Sequence, residues 1–235
     1  TNPWAADAHL SPKSVVREMW ERAFTFREFV NSYGLTRAEG AVLRYLSDAF
    51  KALRSGVPTA ARTDEVTDLV EWLGELVRQV DSSLLDEWEA LRSPEAAALE
   101  PALDAVPDAP PPVTRNERAF RVLVRNALFR RVELAARGDY ETLGALDDER
   151  SGWDADTWAD AVEAYFDEHD TLGTGPAARG PKLLIIDQQP GRWVLRQIFD
   201  DPAGDHDWGI SAEVDLAESD ELGEPALTIV SVDRL

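Results

Sequence analysis

Asp200, Asp201, Asp205 and Asp207 surround His206 in the segment DDPAGDHDW, which ends at Trp208. Carboxylates beside an imidazole could ligate a divalent cation or hold a general base. Their spacing fits no calcium loop, and Pro202 and Gly204 occupy turn positions, so the segment reads as a solvated turn between strands. Upstream, Arg115, Arg118, Arg121, Arg125, Arg130, Arg131 and Arg137 crowd one predicted helix, opposed within it only by Glu117 and Glu133. Arg118, Arg121 and Arg125 recur at i, i+3 and i+7, a candidate stripe for phosphates of RNA or DNA or for a protein partner. The competing reading is that these guanidiniums pair with carboxylates of neighbouring elements, a geometry that suits Arg well. No Gly-x-x-x-x-Gly-Lys-Ser/Thr cradle occurs, and Gly173, Gly175 and Gly180 precede a strand instead of following one, so they read as a loop.

The composition narrows the chemistry further. Among 235 residues there are 45 acidic and 24 basic ones, a net charge of −21, which repels nucleic acid unless a local basic stripe outweighs it. There is no cysteine, which removes disulfides, thiolate catalysis and thiolate-ligated metal sites from the chain and leaves a cytoplasmic location as the expectation. Only His9, His169 and His206 are available as imidazoles, and they are scattered. No apolar run is long enough to span a membrane, and no basic-then-apolar leader opens the chain. The first residue is Thr, which reads as a fragment or a processed chain.

The elements that must position these residues follow from periodicity and caps. Ser11-Pro12 opens a helix that continues through Val16, Met19, Phe26, Phe29 and Val30 to Tyr33-Gly34. Thr36 and Glu39 form a Thr-x-x-Glu capping box for a second helix ending near Ser55–Pro58. Thr63-Asp64-Glu65 caps a third, with Val66, Leu69, Leu73, Leu76, Val80, Leu84, Trp88 and Leu91 as its apolar seam; Asp86-Glu87 lies inside it. Gly40 and Gly74 interrupt these helices and are expected to allow close packing of another backbone. Residues 94–113 are a Pro- and Ala-rich linker between a helical domain, 1–93, and an α+β domain, 114–235.

That second domain opens with another Thr-x-x-Glu box, Thr114 to Glu117, and continues with helices starting near Asp139 and Asp154. After residue 181 the period falls from 3.6 to 2. The run Lys182–Ile186, the alternation Trp193/Leu195/Phe199, then Ile210/Ala212/Val214/Leu216 and finally Leu227–Val232 read as four consecutive antiparallel strands. The fold class is therefore α+β: a helical bundle followed by a curled sheet with three helices on its concave face. A pocket between that sheet and its helices would be lined by Asp187, Trp193 or His206.

Two resemblances rest on quoted residues. Phe26-Arg-Glu-Phe29, Glu39-Gly40-Ala-Val-Leu43-Arg44 and Leu76-Val-Arg78-Gln79-Val80 resemble the C-terminal helical domain of Ski-type DExH-box helicases. NPWAADAHLSPKSVVREM, LVRQVDSSLLDEWEALR, RAFRVLVRNALFRRVELA and DDPAGDHDW are similar to the C-terminal region of actinobacterial DEAD/DEAH-box helicases, over nearly the whole chain. Residues 114–235 are similar in element order to the nuclear transport factor two-like cone fold. The first two imply a non-catalytic accessory region that docks on an ATP-dependent RNA or DNA helicase motor through Phe26, Phe29, Glu39, Gly40 and Arg44. ATP and Mg would belong to that motor, with no cofactor or metal in this chain, and the α+β domain would contact a protein partner. A docking part of this kind is expected to expose an apolar patch. The other readings are a cone-fold small-molecule binder or enzyme and a nucleic-acid-binding module using the arginine helix.

Overall fold

The computed structural model describes residues 12–58, 61–80 and 112–235. Among them are eight α-helices and one open four-stranded antiparallel sheet, with the helices first and the strands in the C-terminal part. The chain divides into two compact units, Thr1–Val122 and Leu123–Leu235. The linker segment 94–113 and the seam residues Leu84, Trp88 and Leu91 lie outside the described residues, apart from Pro112 and Val113, as does the Ser11 cap.

In the first unit, α1 (Pro12–Glu21), α2 (Phe26–Ser32), α3 (Glu39–Gly56) and α4 (Asp64–Val80) enclose an apolar core. The run expected as a single first helix is two. Ala23 takes a left-handed φ of 51°, and Thr25 restarts the chain with a capping box in which Thr25 Oγ1 accepts from Glu28 N at 3.2 Å and Glu28 Oε2 from Thr25 N at 2.8 Å. The box expected at Thr36 and Glu39 is not formed. Leu35 N–H donates to Val30 O and Ala38 N–H to Leu35 O, so Thr36–Ala38 is spent on a 3-10 turn and α3 begins only at Glu39, without a side-chain cap. Thr63 does cap α4, accepting from Val66 N at 3.3 Å.

Met19, Phe29, Leu46, Phe50, Trp72 and Leu73 fill the core of this unit, and Trp20 meets Trp72 edge-on at 5.2 Å. Val70 and residues 72–77 of α4 are all buried, wider than the seam of 3-then-4 spacing, whereas Val80 is 43% exposed. The two helical glycines differ. A Cβ on Gly74 would lie 2.8 Å from Phe50 Cε2, so this glycine is what brings α3 and α4 together. Gly40 is exposed and a Cβ there would meet nothing within 4 Å, which corrects the expectation of close packing at that position among the described residues.

α5 (Glu117–Ala136) runs across the division between the units. Its cap in the structure is Asn116, whose Oδ1 accepts from Ala119 N at 3.1 Å. The second unit continues with α6 (Tyr140–Ser151) and α7 (Ala155–Phe166), capped by Asp139 and Asp154. A Cβ on Gly144 would come within 2.6 Å of Ala155 N, so α6 can sit against the start of α7 only because that residue is glycine.

β1 (Leu184–Gln189), β2 (Arg192–Ile198), β3 (Trp208–Asp215) and β4 (Ala226–Arg234) form a meander in that order, and α6 and α7 pack against β4. The registers align three buried rows across β2, β3 and β4: Trp193/Val214/Leu227, Leu195/Ala212/Ile229 and Gln197/Ile210/Val232. Two features depart from the expected strands: Lys182 and Leu183 belong to a 3-10 turn before β1, and β3 stops at Asp215, which caps a further helix, α8 (Leu216–Leu222), so Leu216 is not a strand residue. β1 lies at the sheet edge, with Ile185 52% exposed, so its apolar run is only half covered.

The glycines give a paired prediction. Gly74→Ala should destabilise the chain by about 1–3 kcal/mol through overpacking against Phe50. Gly40→Ala should stabilise it by about 0.5–1 kcal/mol by restricting the unfolded chain at an open helical site. Chemical denaturation of the two variants checks both signs.

Candidate functional site

The arginine helix is an interior helix over most of its length. From Val122 to Ala135 every residue of α5 is buried except Ala127, which is half-buried. The three arginines of the candidate stripe are therefore not brought onto one open face. Arg118 and Arg121 are exposed, and each has an acid: Arg118 Nη2 lies 3.8 Å from Asp68, and Arg121 Nη2 donates to Glu117 Oε1 at 3.0 Å. Arg125 is buried, so it does not share an open face with Arg118 and Arg121.

Further along α5 the carboxylate pairing is explicit. Arg131 Nε donates to Asp147 Oδ2 at 3.1 Å, Nη2 donates to Asp147 Oδ1 at 2.6 Å, and Nη1 donates to Ala127 O at 2.8 Å. Asp147, on α6, is completely buried. Glu133 is also buried and takes both Arg130, at 3.3 Å, and Arg137. Arg179, from the loop between α7 and β1, bonds Asn126 Oδ1 and lies 4.8 Å over the Phe129 ring. What the helix does chemically is hold its own neighbours through charge-assisted hydrogen bonds.

The loop 200–208 is built around one carboxylate. Asp201 accepts from the backbone N–H of Gly204, Asp205 and His206 at 2.6, 3.1 and 2.7 Å. Burial works to raise its pKa, but those three N–H donors and nearby His169 outweigh it and hold the group below the ordinary aspartate range. Asp207 is engaged by Arg234 Nε at 2.6 Å, and His206, at a left-handed φ of 55°, lies 3.5 Å from Asp200. Tyr165 packs beneath, edge-on to Phe199 and Trp208, and donates to Thr171 O at 2.8 Å. Burial first, then the Asp201 and Asp200 charges, push its phenol up to about 12. Among the described residues no group of three or more His, Asp or Glu side chains is placed to hold a metal ion.

The candidate pocket residues are not brought together. Asp187 stands opposite Val194 in the β1–β2 register, and directly opposed residues share a face. Trp193, one residue along, belongs to the other face, where it is buried, while Asp187 is exposed and bonds Gln189 Nε2 at 2.8 Å. His206 sits in the loop beyond β2. Of the docking set, Phe29 is a core residue, Phe26 is half-buried, and Glu39, Gly40 and Arg44 are exposed on the first turns of α3.

A family model described as a domain of unknown function, DUF3516, matches residues 1–232. The chain belongs to that family. No curated protein and no solved structure matches it. In this DUF3516 chain, sequence reasoning missed several polar core residues, Asp147 and Gln197 among them. Asp147 carried a weak signal, lying one turn after Leu143 on the buried side of α6. Gln197 is 1% exposed in an otherwise apolar row, its Nε2 donating to Leu183 O and Ile198 O at 3.1 Å each, while its Oε1 has no partner among the described residues.

Two predictions follow the charges. Asp147→Ala leaves Arg131 buried without its partner and should cost about 3–5 kcal/mol, whereas Arg131→Met with Asp147→Leu should recover most of that loss; urea titration of the three proteins measures it. Folding lowers the Asp201 pKa, so its contribution is complete above the unfolded value of about 3.9 and is lost as the pH falls through the lower folded value. Asp201→Asn should be less stable than the parent at neutral pH and lose less on acidification, as thermal melts across that range would record.

Proposed function

We propose that this chain is a non-catalytic accessory and regulatory region at the C-terminal end of an ATP-dependent DEAD/DEAH-box helicase acting on RNA or DNA in the cytoplasm. The helical unit docks on the motor, and the α+β unit contacts a protein partner. ATP and Mg are bound by the motor, and this chain supplies neither a nucleotide cradle nor a catalytic side chain.

The observation that carries the reading is the outer face of α3. Gly40, Ala41, Arg44 and Asp48 are exposed there at helical spacing beside Glu39. An exposed helical glycine costs about 1 kcal/mol relative to alanine and gains nothing within the unit, since a Cβ would meet no atom within 4 Å. The small pair Gly40 and Ala41, bordered by Glu39 and Arg44, suits close approach of another backbone, and these four residues are among those that resemble the helicase tail. The contact is not the apolar patch expected from the sequence: Val80, at the end of α4, is the one large exposed hydrophobic among the described residues of α1–α4.

The test uses the full-length gene product. It should hydrolyse ATP with stimulation by RNA or DNA, and Gly40→Arg should reduce that stimulation about fivefold or more without lowering the melting temperature. A full-length protein with no nucleic-acid-stimulated ATP hydrolysis would end the proposal.

A further inference from the structure

The second unit exposes large apolar side chains on three elements that an ion pair and a hydrogen bond join. Arg150 on α6 meets Glu218 on α8 at 2.6 Å. Leu146, 37% exposed, lies one turn before Arg150, and Leu222, 52% exposed, lies one turn after Glu218. Val230, 56% exposed, follows Ile229, whose N–H donates to Ser151 Oγ at 2.9 Å beside Arg150. With a helical pitch of about 5.4 Å, both leucines are within a turn of the ion pair.

Val230 is exposed by a specific device. The β3–β4 register pairs Ala212 with Ile229 but Ser211 with Ser231, so Val230 is the extra residue of a bulge. A bulge re-aims a side chain. Here it presents a β-branched apolar group outward between buried Ile229 and buried Val232.

Exposed carboxylates ring the group. Glu149 lies three residues after Leu146 on α6, and Glu221 and Glu224 lie beside Leu222 at the end of α8. The one basic residue at the centre, Arg150, is neutralised by Glu218. Apolar residues inside an acidic rim are complementary to a segment with an apolar face and cationic edges. A second copy of this chain would bring the same acidic rim and a net charge of −21 against it.

We propose that the surface formed by Leu146, Leu222 and Val230 is the docking site for a basic amphipathic segment of a protein partner, the carboxylates of Glu149, Glu221 and Glu224 receiving its Lys or Arg side chains. The inference rests on the partner-contact role given above to the α+β unit and not on the helicase assignment. Peptide binding with no ATPase in the full-length protein, or the reverse, separates the two.

The probe is a synthetic peptide of about 18 residues, about five helical turns, with Leu along one face and Lys along the other. A companion peptide keeps every Lys and replaces every Leu by Ser. Fluorescence anisotropy at about 0.15 M salt should show the Leu/Lys peptide binding the parent chain at least about tenfold more tightly than the Leu146→Ser, Leu222→Ser, Val230→Ser variant, whose charge is unchanged. The Ser companion should bind both proteins equally and weakly. Amide shifts on the parent chain, which need no variant, should be perturbed at residues 145–150, 220–224 and 228–231. Equal binding of the Leu/Lys peptide to parent and variant, absence of binding, or shifts centred elsewhere would overturn the proposal. So would a parent dimer that the triple variant dissolves, because the occupant would then be a second copy.

Discussion

The buried pair of Arg131 and Asp147 is the constraint on which the α+β unit depends. Each charge has been taken out of water, a cost of several kcal/mol per ion that only good geometry and further hydrogen bonds offset. The guanidinium meets that demand by holding both Asp147 oxygens and the Ala127 carbonyl at once. Since Asp147 is fixed to Arg131, α6 has one azimuth relative to α5. Gly144, one turn earlier on α6, then allows the start of α7 to close on it, and Ser151 at the end of α6 receives the Ile229 N–H of β4. The sheet is thereby tied to the helices by a polar contact as well as by its three buried rows.

The same logic explains why an acidic chain concentrates arginine in one helix. Over most of its length α5 is enclosed, and an enclosed helix needs cations only if buried carboxylates answer them. Glu133 and Asp147 do so. Arg179 adds a planar cation over the Phe129 face from a neighbouring loop, a contact worth about 0.5–2 kcal/mol that lysine would make less well. The positive charge of α5 is consumed within the protein, which leaves the negative field of the whole chain as the feature a partner meets.

Much of this architecture was legible in the sequence, and each exception has a local physical cause. The shift of period after residue 181 identified the four strands, and Asp139, Asp154 and Thr63 marked helix starts correctly. Of two Thr-x-x-Glu patterns in the first unit, the one at Thr25 caps α2, while the one at Thr36 goes unformed because Thr36–Ala38 is spent on a 3-10 turn. Helix α8 carried the signal Asp215-x-x-Glu218, which the apolar alternation of β3 concealed. The placement of Asp187 and Trp193 could have been counted outward from Pro190-Gly191, since a two-residue turn pairs Gln189 with Arg192 and puts the two residues on opposite faces. The burial of α5 was legible in principle, because apolar residues occur all round it between the arginines. A pairing partner sixteen residues away, as Asp147 is for Arg131, is set by tertiary packing, and no local pattern specifies it.

The central claim is that α5 is interior from Val122 to Ala135 and that the arginines of that stretch, Arg125, Arg130 and Arg131, are structural. Native-state hydrogen exchange, read by mass spectrometry on peptides covering residues 122–135, tests it most directly. An enclosed helix anchored by a buried ion pair should exchange only through the largest opening of the α+β unit, as slowly as β2 and β3. Exchange of those amides as fast as that of the exposed turns of α3, in a folded protein with its sheet still protected, would contradict the account and return the arginines to the surface.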